Sequence, residues 1–178
     1  PNMEVWRPCD GVETVFAWQR AIENNAGPTA LVLSRQSLVT LKRSDMQLSY
    51  ISRGAYVLFD SDDKPQNILI ATGSEVALAL EAAQKLAQEG TSIRVVSMPS
   101  AEVFERQDKN YKESVLPSAN RKRIAVEAGH VDYWRKWVGL DGEVIGMKSF
   151  GASGPGAEVF SYFGFTVDAI LEAVKNLD

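Results

Sequence analysis

The sequence predicts an α/β fold: a mostly parallel, mixed sheet of about five strands covered by helices on both faces, preceded by an incomplete α/β piece. Three observations carry that expectation. From Gly54 onward, short apolar runs alternate with helical stretches, the pattern of a parallel sheet with crossover helices. The first two runs, 55–59 and 67–71, are joined by a short polar loop, which predicts one antiparallel element. Before Gly54 there is one clear helix and one or two strands, too little to enclose a core.

Each element has its own local signal. Asp10 suits a helix N-cap, with Glu13 three residues later in capping-box spacing. Val12, Val15, Phe16 and Ile22 then share one face at helical spacing. NAGP at 25–28 stops this helix, and TALVL at 29–33 reads as a buried strand. Residues 37–53 are polar and read as a linker with a short helical turn. AYVLF (55–59) and NILIA (67–71) are expected to pair as a hairpin, because the loop between them is too short for a parallel crossover. Ser74 is expected to cap a helix whose Val76, Ala79, Leu80, Ala83, Leu86 and Ala87 form one stripe, closed by Gly90.

A strand at 93–96 follows, then short helical stretches at 102–106 and 109–115. A strand at 124–127, a helix through 133–137 and a strand at 144–147 continue the alternation. Pro155 suits the first turn of a helix carrying Val159, Phe160 and Phe163. Thr166 caps the last helix, which buries Val167, Ile170, Leu171, Val174 and Leu177. Residues 54–178 therefore read as a complete domain, and residues 1–53 as the tail of a preceding one.

Composition narrows the function. The 178 residues are 45% hydrophobic and 24% charged, ordinary for a globular domain. Net charge is −4, so a nucleic-acid surface is not favoured, and Arg121, Lys122 and Arg123 read as a solvated rim. No apolar run approaches the roughly 20 residues that span a bilayer. Cys9 is the only cysteine, so no intrachain disulfide forms. Pro1 follows no methionine and no targeting segment is visible, which carries the expectation that preceding chain has been removed. His130 is the only histidine; a triad could be built only on it, and a metal site would depend mainly on carboxylates.

Four groups merit weighing as sites. Thr72-Gly73-Ser74-Glu75 follows a strand and opens a helix, where phosphate loops sit, but Glu75 opposes an incoming anion. The run FGASGPG (150–156) reads as a turn, since Pro155 removes a donor that a cradle would need. Tyr133, Trp134 and Trp137 read first as packing and second as a subunit contact. Arg35, in Ser34-Arg35-Gln36, lies past the C-terminal end of a strand, the edge at which open α/β sheets bind ligands. Its planar fork of donors matches phosphate oxygens.

Eight segments, in order along the whole chain, resemble the transketolase family. They are VWRPCD (5–10), GPTALVLSRQ (27–36), RGAYVL (53–58), IATGSEVALA (70–79), VVSMPS (95–100), ESVLP (113–117), AVEAGHVDYW (125–134) and FGFTVD (163–168). The resemblance implies that residues 1–53 are the end of a pyrimidine-binding domain and residues 54–178 a transketolase C-terminal domain. It implies a homodimeric, cytoplasmic enzyme that moves a two-carbon ketol unit from a ketose phosphate to an aldose phosphate. The cofactors implied are thiamine diphosphate and a divalent metal (Mg or Ca) in the full-length enzyme, with none bound by this segment. No catalytic, cofactor or metal residue of the family maps onto the segment, which is expected to be inactive alone. One functional residue carries over: the Arg of the family's Ser-Arg-Gln motif, which contacts the substrate phosphate, matches Arg35. The C-terminal domain is expected to be structural and to support the dimer. Alternatives are dihydroxyacetone synthase, a dehydrogenase subunit of similar architecture, or a stand-alone binding or regulatory module.

Overall fold

Two sheets organise the chain, whose computed structural model describes residues 2–177. The first is a parallel pair, β1 (Glu4–Trp6) and β2 (Thr29–Leu31), joined by α1 (Gly11–Glu23). The second has five strands in the order β3-β5-β4-β6-β7. These are β3 (Tyr56–Asp60), β4 (Asn67–Ala71), β5 (Ile93–Ser97), β6 (Arg123–His130) and β7 (Glu143–Met147). Every neighbour is parallel except β3, which runs antiparallel to β5.

That order corrects the expected hairpin. β3 and β4 do run in opposite senses, but β5 inserts between them and pairs with both. Burial explains the choice. β4 and β5 are buried at every position, so each needs a neighbour on both sides, whereas β3 is half-buried on alternate residues and ends exposed, as an edge strand should be. The intervening loop spans two strand spacings, about 10 Å, with ease.

Helices cover both faces. On one, α3 (Glu75–Gln88) and α8 (Val167–Asn176) pack Val76, Ala79, Ala83, Leu86, Ile170 and Val174 onto Leu69, Val95 and Val126. On the other lie α4 (Ala101–Glu105), α5 (Lys109–Val115), a 3-10 turn (Val131–Trp134) and α6 (Arg135–Val138). There Phe104, Tyr111, Trp134 and Trp137 cover Ile68, Ile70, Val96 and Ala125. α7 (Gly156–Tyr162) begins just after Pro155, which occupies the N-cap, and Thr166 caps α8 by accepting from the Ala169 N–H.

Four local expectations change. Ser74 does not cap α3; it is itself helical, and its hydroxyl donates to Glu75 instead. Residues 37–53 contain a true helix, α2 (Asp45–Ile51), closed by a capping box between Ser44 and Gln47. The strand at 29–33 stops at Leu31, is half-buried, and leaves Val32 and Leu33 exposed. On α1, Val12 and Phe16 pack on the core, but Val15 and Ile22 face outward with Trp18. The inward side of α1 is completed by Glu13 and Ala17, both fully buried.

Candidate functional site

Arg35 stands on the loop that leaves β2. β1 and β2 are parallel, with Glu4 opposite Thr29 and Trp6 opposite Leu31, and the Val32 N–H donates to the Trp6 carbonyl at 2.8 Å. The loop after Leu31 therefore departs from the carboxyl edge of this small sheet, as its place in the sequence predicts. Arg35 is exposed and has no partner among the described residues. Its guanidinium is free to take an oxyanion through two parallel N–H donors. The Ser34 hydroxyl donates to Gln36 Oε1 at 3.3 Å, closing a small ring around Arg35. Gln36 in turn lies against Gly156 at the start of α7.

A second crevice opens at the carboxyl edge of the large sheet. From β4 the chain turns to α3 on one face, and from the neighbouring β6 it turns to α6 on the other, so the edge parts between them. Open α/β sheets take ligands at such a point. Here Arg7 enters it. The Gly73 N–H (3.0 Å) and the Thr72 hydroxyl (3.2 Å) both donate to the Arg7 carbonyl. The Arg7 guanidinium ion-pairs with Glu127 and lies 3.9 Å from Glu75. The Trp134 indole N–H donates to Glu127, and the Ala128 N–H to Glu75 at 3.1 Å. Burial pushes the Glu75 carboxyl above its ordinary 4.5, against bonds from Ser74 and Ala128 and the charge of Arg7. Burial also pulls Arg7 downward, against the pull of Glu75 and Tyr133.

The donors of Thr72 and Gly73 are thus spent on backbone, and a buried carboxylate follows them. A phosphate would meet repulsion there, as the place of Glu75 in the sequence predicts. A cleft of about 330 Å³ remains beside Arg7, walled by Glu102, Glu127, His130 and Tyr133. His130 is exposed at its rim, with Asp132 3.5 Å away.

Beside the crevice, a fully buried polar cluster joins residues 1–53 to the same sheet edge. Glu13 accepts from the Cys9 N–H (2.8 Å), the Tyr56 hydroxyl (2.8 Å) and the Ser97 hydroxyl (2.6 Å). Arg43 bonds Asp10 at 2.7 Å and Tyr56 at 2.6 Å and lies 3.6 Å from Glu13. Burial pushes the Cys9 thiol and the Tyr56 phenol well above their ordinary values, with Glu13 adding to both. These groups act as neutral hydrogen-bonding partners. The capping-box spacing of Asp10 and Glu13 gave half of this: Asp10 does accept from the Glu13 N–H, but the Glu13 side chain crosses between the sheets.

The aromatic cluster is mainly core. Trp134 and Trp137 are buried and only Tyr133 is half-exposed, its hydroxyl donating to Glu102. The run 150–156 forms a turn into α7, with Phe150 fully exposed. No group of three His, Cys, Asp or Glu among the described residues is placed to hold a metal ion. Arg35 lies on an exposed strand-end loop, as its place in the sequence predicts, whereas the Arg7–Glu127 pair and the contact of Gln36 with Gly156 were not foreseen. Their roles depend on pairings between distant segments, and no local pattern announces them.

Comparison with known proteins accounts for this arrangement. Residues 54–166 match the model of the transketolase-like C-terminal domain, and residues 1–40 match the transketolase pyrimidine-binding domain. The chain is 53% identical over 177 residues to transketolase 2 of Aliivibrio fischeri and 54% identical to transketolase 1 of Escherichia coli. Each match covers 99% of this chain and 27% of the relative, so the chain spans about a quarter of the length of these curated relatives. A crystal structure of Pichia stipitis transketolase with sedoheptulose 7-phosphate superposes with a TM-score of 0.89 at 39% identity, over 99% of this chain and 25% of that one. With both domain models matched in order and the fold reproduced, the chain belongs to the transketolase family.

Proposed function

We propose that residues 1–53 form the end of a pyrimidine-binding domain, that residues 54–178 form the transketolase C-terminal domain, and that together they serve a thiamine-diphosphate-dependent ketol transferase. In such an enzyme a two-carbon ketol unit passes from a ketose phosphate to an aldose phosphate. The cofactor supplies a carbanion and an electron sink for the fragment. The Thr72 hydroxyl and the Gly73 N–H are taken by the Arg7 carbonyl, and no group of three His, Cys, Asp or Glu among the described residues is placed to hold a metal ion. Homodimer formation and a cytoplasmic location belong to the same reading and are supported by the family relationship.

Within that enzyme the segment binds rather than reacts. Arg35 holds the substrate phosphate, and the observation that carries this is its free, exposed guanidinium on the loop leaving a parallel strand pair. Arg35 orients the sugar by a fixed fork of donors. The exposed apolar side of α1, with Val15, Trp18 and Ile22, favours a part of a larger enzyme over a stand-alone module.

The test is Arg35→Ala in a full-length transketolase polypeptide carrying these residues. Loss of a charge-assisted bidentate contact, about 1.5–3 kcal/mol, raises KM for phosphorylated donors about ten- to a hundredfold. KM for an unphosphorylated ketol donor changes far less. Equal effects on both donors would remove Arg35 from phosphate binding.

A further inference from the structure

Gly156 is where the C-terminal domain touches the Arg35 loop. A Cβ built on Gly156 would stand 2.9 Å from Gln36 Nε2, 3.3 Å from its Cγ and 3.4 Å from its Cδ. The Gln36 side chain therefore lies flat over the glycine along its length, in a space that only a missing side chain provides. At its other end Gln36 Oε1 accepts from the Ser34 hydroxyl, across Arg35. One side chain thus ties both flanks of Arg35 together and rests them on the first residue of α7.

We propose that Gly156 and Gln36 form a positioning device for Arg35, through which the C-terminal domain sets the place of the substrate-phosphate contact. The inference rests on the phosphate-binding reading of Arg35 and extends it to a domain that otherwise contributes no site residue. Residues 32–36 are exposed, and β2 ends at Leu31, so the loop has little packing of its own. The α7 seat supplies the missing constraint. The glycine lets Gln36 lie this close, for a reason distinct from turn geometry: its φ lies outside the left-handed region that Gly164, after the same helix, adopts.

The test uses Gly156→Ala, Gln36→Ala and the double variant in the full-length enzyme, beside Arg35→Ala. The readout is the preference for a phosphorylated over an unphosphorylated ketol donor, taken as the ratio of their kcat/KM values. Displacing an orienting group by about an ångström costs up to a hundredfold in rate, so a fall of about tenfold in this ratio is expected for either single variant. In the Gln36→Ala background the added methyl at position 156 meets no side chain, and the second substitution should change the ratio less than about twofold. Gln36 is exposed, so its variant tests the idea even where Gly156→Ala disturbs folding. If Arg35→Ala lowers the preference while both single variants keep it, the positioning device is refuted and Arg35 stands. If Arg35→Ala itself leaves the preference unchanged, the phosphate reading fails first. Additive effects in the double variant would refute the contact between the two residues.

Discussion

Glu75 illustrates how a single buried side chain can oppose one role and serve another. It is completely buried at the start of α3, accepts from the Ala128 N–H and the Ser74 hydroxyl, and has Arg7 as its nearest cation at 3.9 Å. Burial is the largest influence on it, and its carboxyl titrates above the ordinary 4.5. A folded-state value above the unfolded one means that the folded chain holds the proton more tightly. The contribution of Glu75 is then greatest below about pH 4.5 and falls as pH rises through the folded-state value. Glu75→Gln keeps the shape and the acceptor oxygen but cannot ionise. Its stability relative to the parent should therefore improve from pH 4.5 to pH 8, measured by urea unfolding at both. A difference that stays flat, or that moves against the variant, would show that the Arg7 charge outweighs burial.

At the scale of elements, α2 and β3 depend on one glutamine. Gln47 completes the capping box of α2 through its Oε1, which accepts from the Ser44 N–H at 2.9 Å. Its amide nitrogen donates to the Val57 and Leu58 carbonyls of β3, at 3.0 and 2.8 Å. β3 is the edge of the sheet, and α2 covers groups that would otherwise template pairing with another chain. Gln47→Ala should cost about 2 kcal/mol, from lost capping and two unpaired carbonyls. Ser44→Ala removes only the cap and should cost about 1 kcal/mol. Urea midpoints of the two variants make the comparison, and equal losses would mean that the edge contacts contribute nothing. The capping box was readable in the sequence as Ser44-x-x-Gln47, yet the polar surroundings of residues 37–53 hid it. The strand order was not readable in the same way. Opposite senses for β3 and β4 follow from the short loop, but the insertion of β5 is decided by which strands can be buried on both sides. α1 misled for a related reason: it is apolar on two sides, and only the side with Val12 and Phe16 meets the core described here.

For the molecule as a whole, the carboxyl edge of the five-stranded sheet serves as a docking surface between its two parts. Arg7 fills the crevice between β4 and β6, and beside it Glu13, Arg43 and Asp10 close onto Tyr56 and Ser97. The place where an open sheet would bind a ligand is spent on holding the segment that carries β1 and α1. Arg35 then stands on a neighbouring loop, whose Gln36 lies against Gly156 at the start of α7. The exposed, strand-end position of Arg35 was legible in the sequence. Arg7 was not, since nothing near it in sequence carries Glu127 or Glu75.

Removing Arg7 tests this docking directly. Arg7→Ala leaves Glu127, nearly buried, and Glu75, fully buried, without their cation. A broken buried pair costs about 3–5 kcal/mol, and the quarter exposure of Arg7 brings the loss below that range, to about 2–3 kcal/mol at pH 8. Without Arg7 the Glu75 carboxyl loses the charge that opposes its upward shift and titrates still higher in the folded state, so the folded variant takes up a proton more readily as pH falls. The deficit should accordingly shrink between pH 8 and pH 5, the opposite of a simple loss of packing, which would be the same at both. Denaturant unfolding of parent and variant at the two pH values decides it. A deficit independent of pH would mean that the aliphatic stem of Arg7, and not its charge, holds the two sheets together.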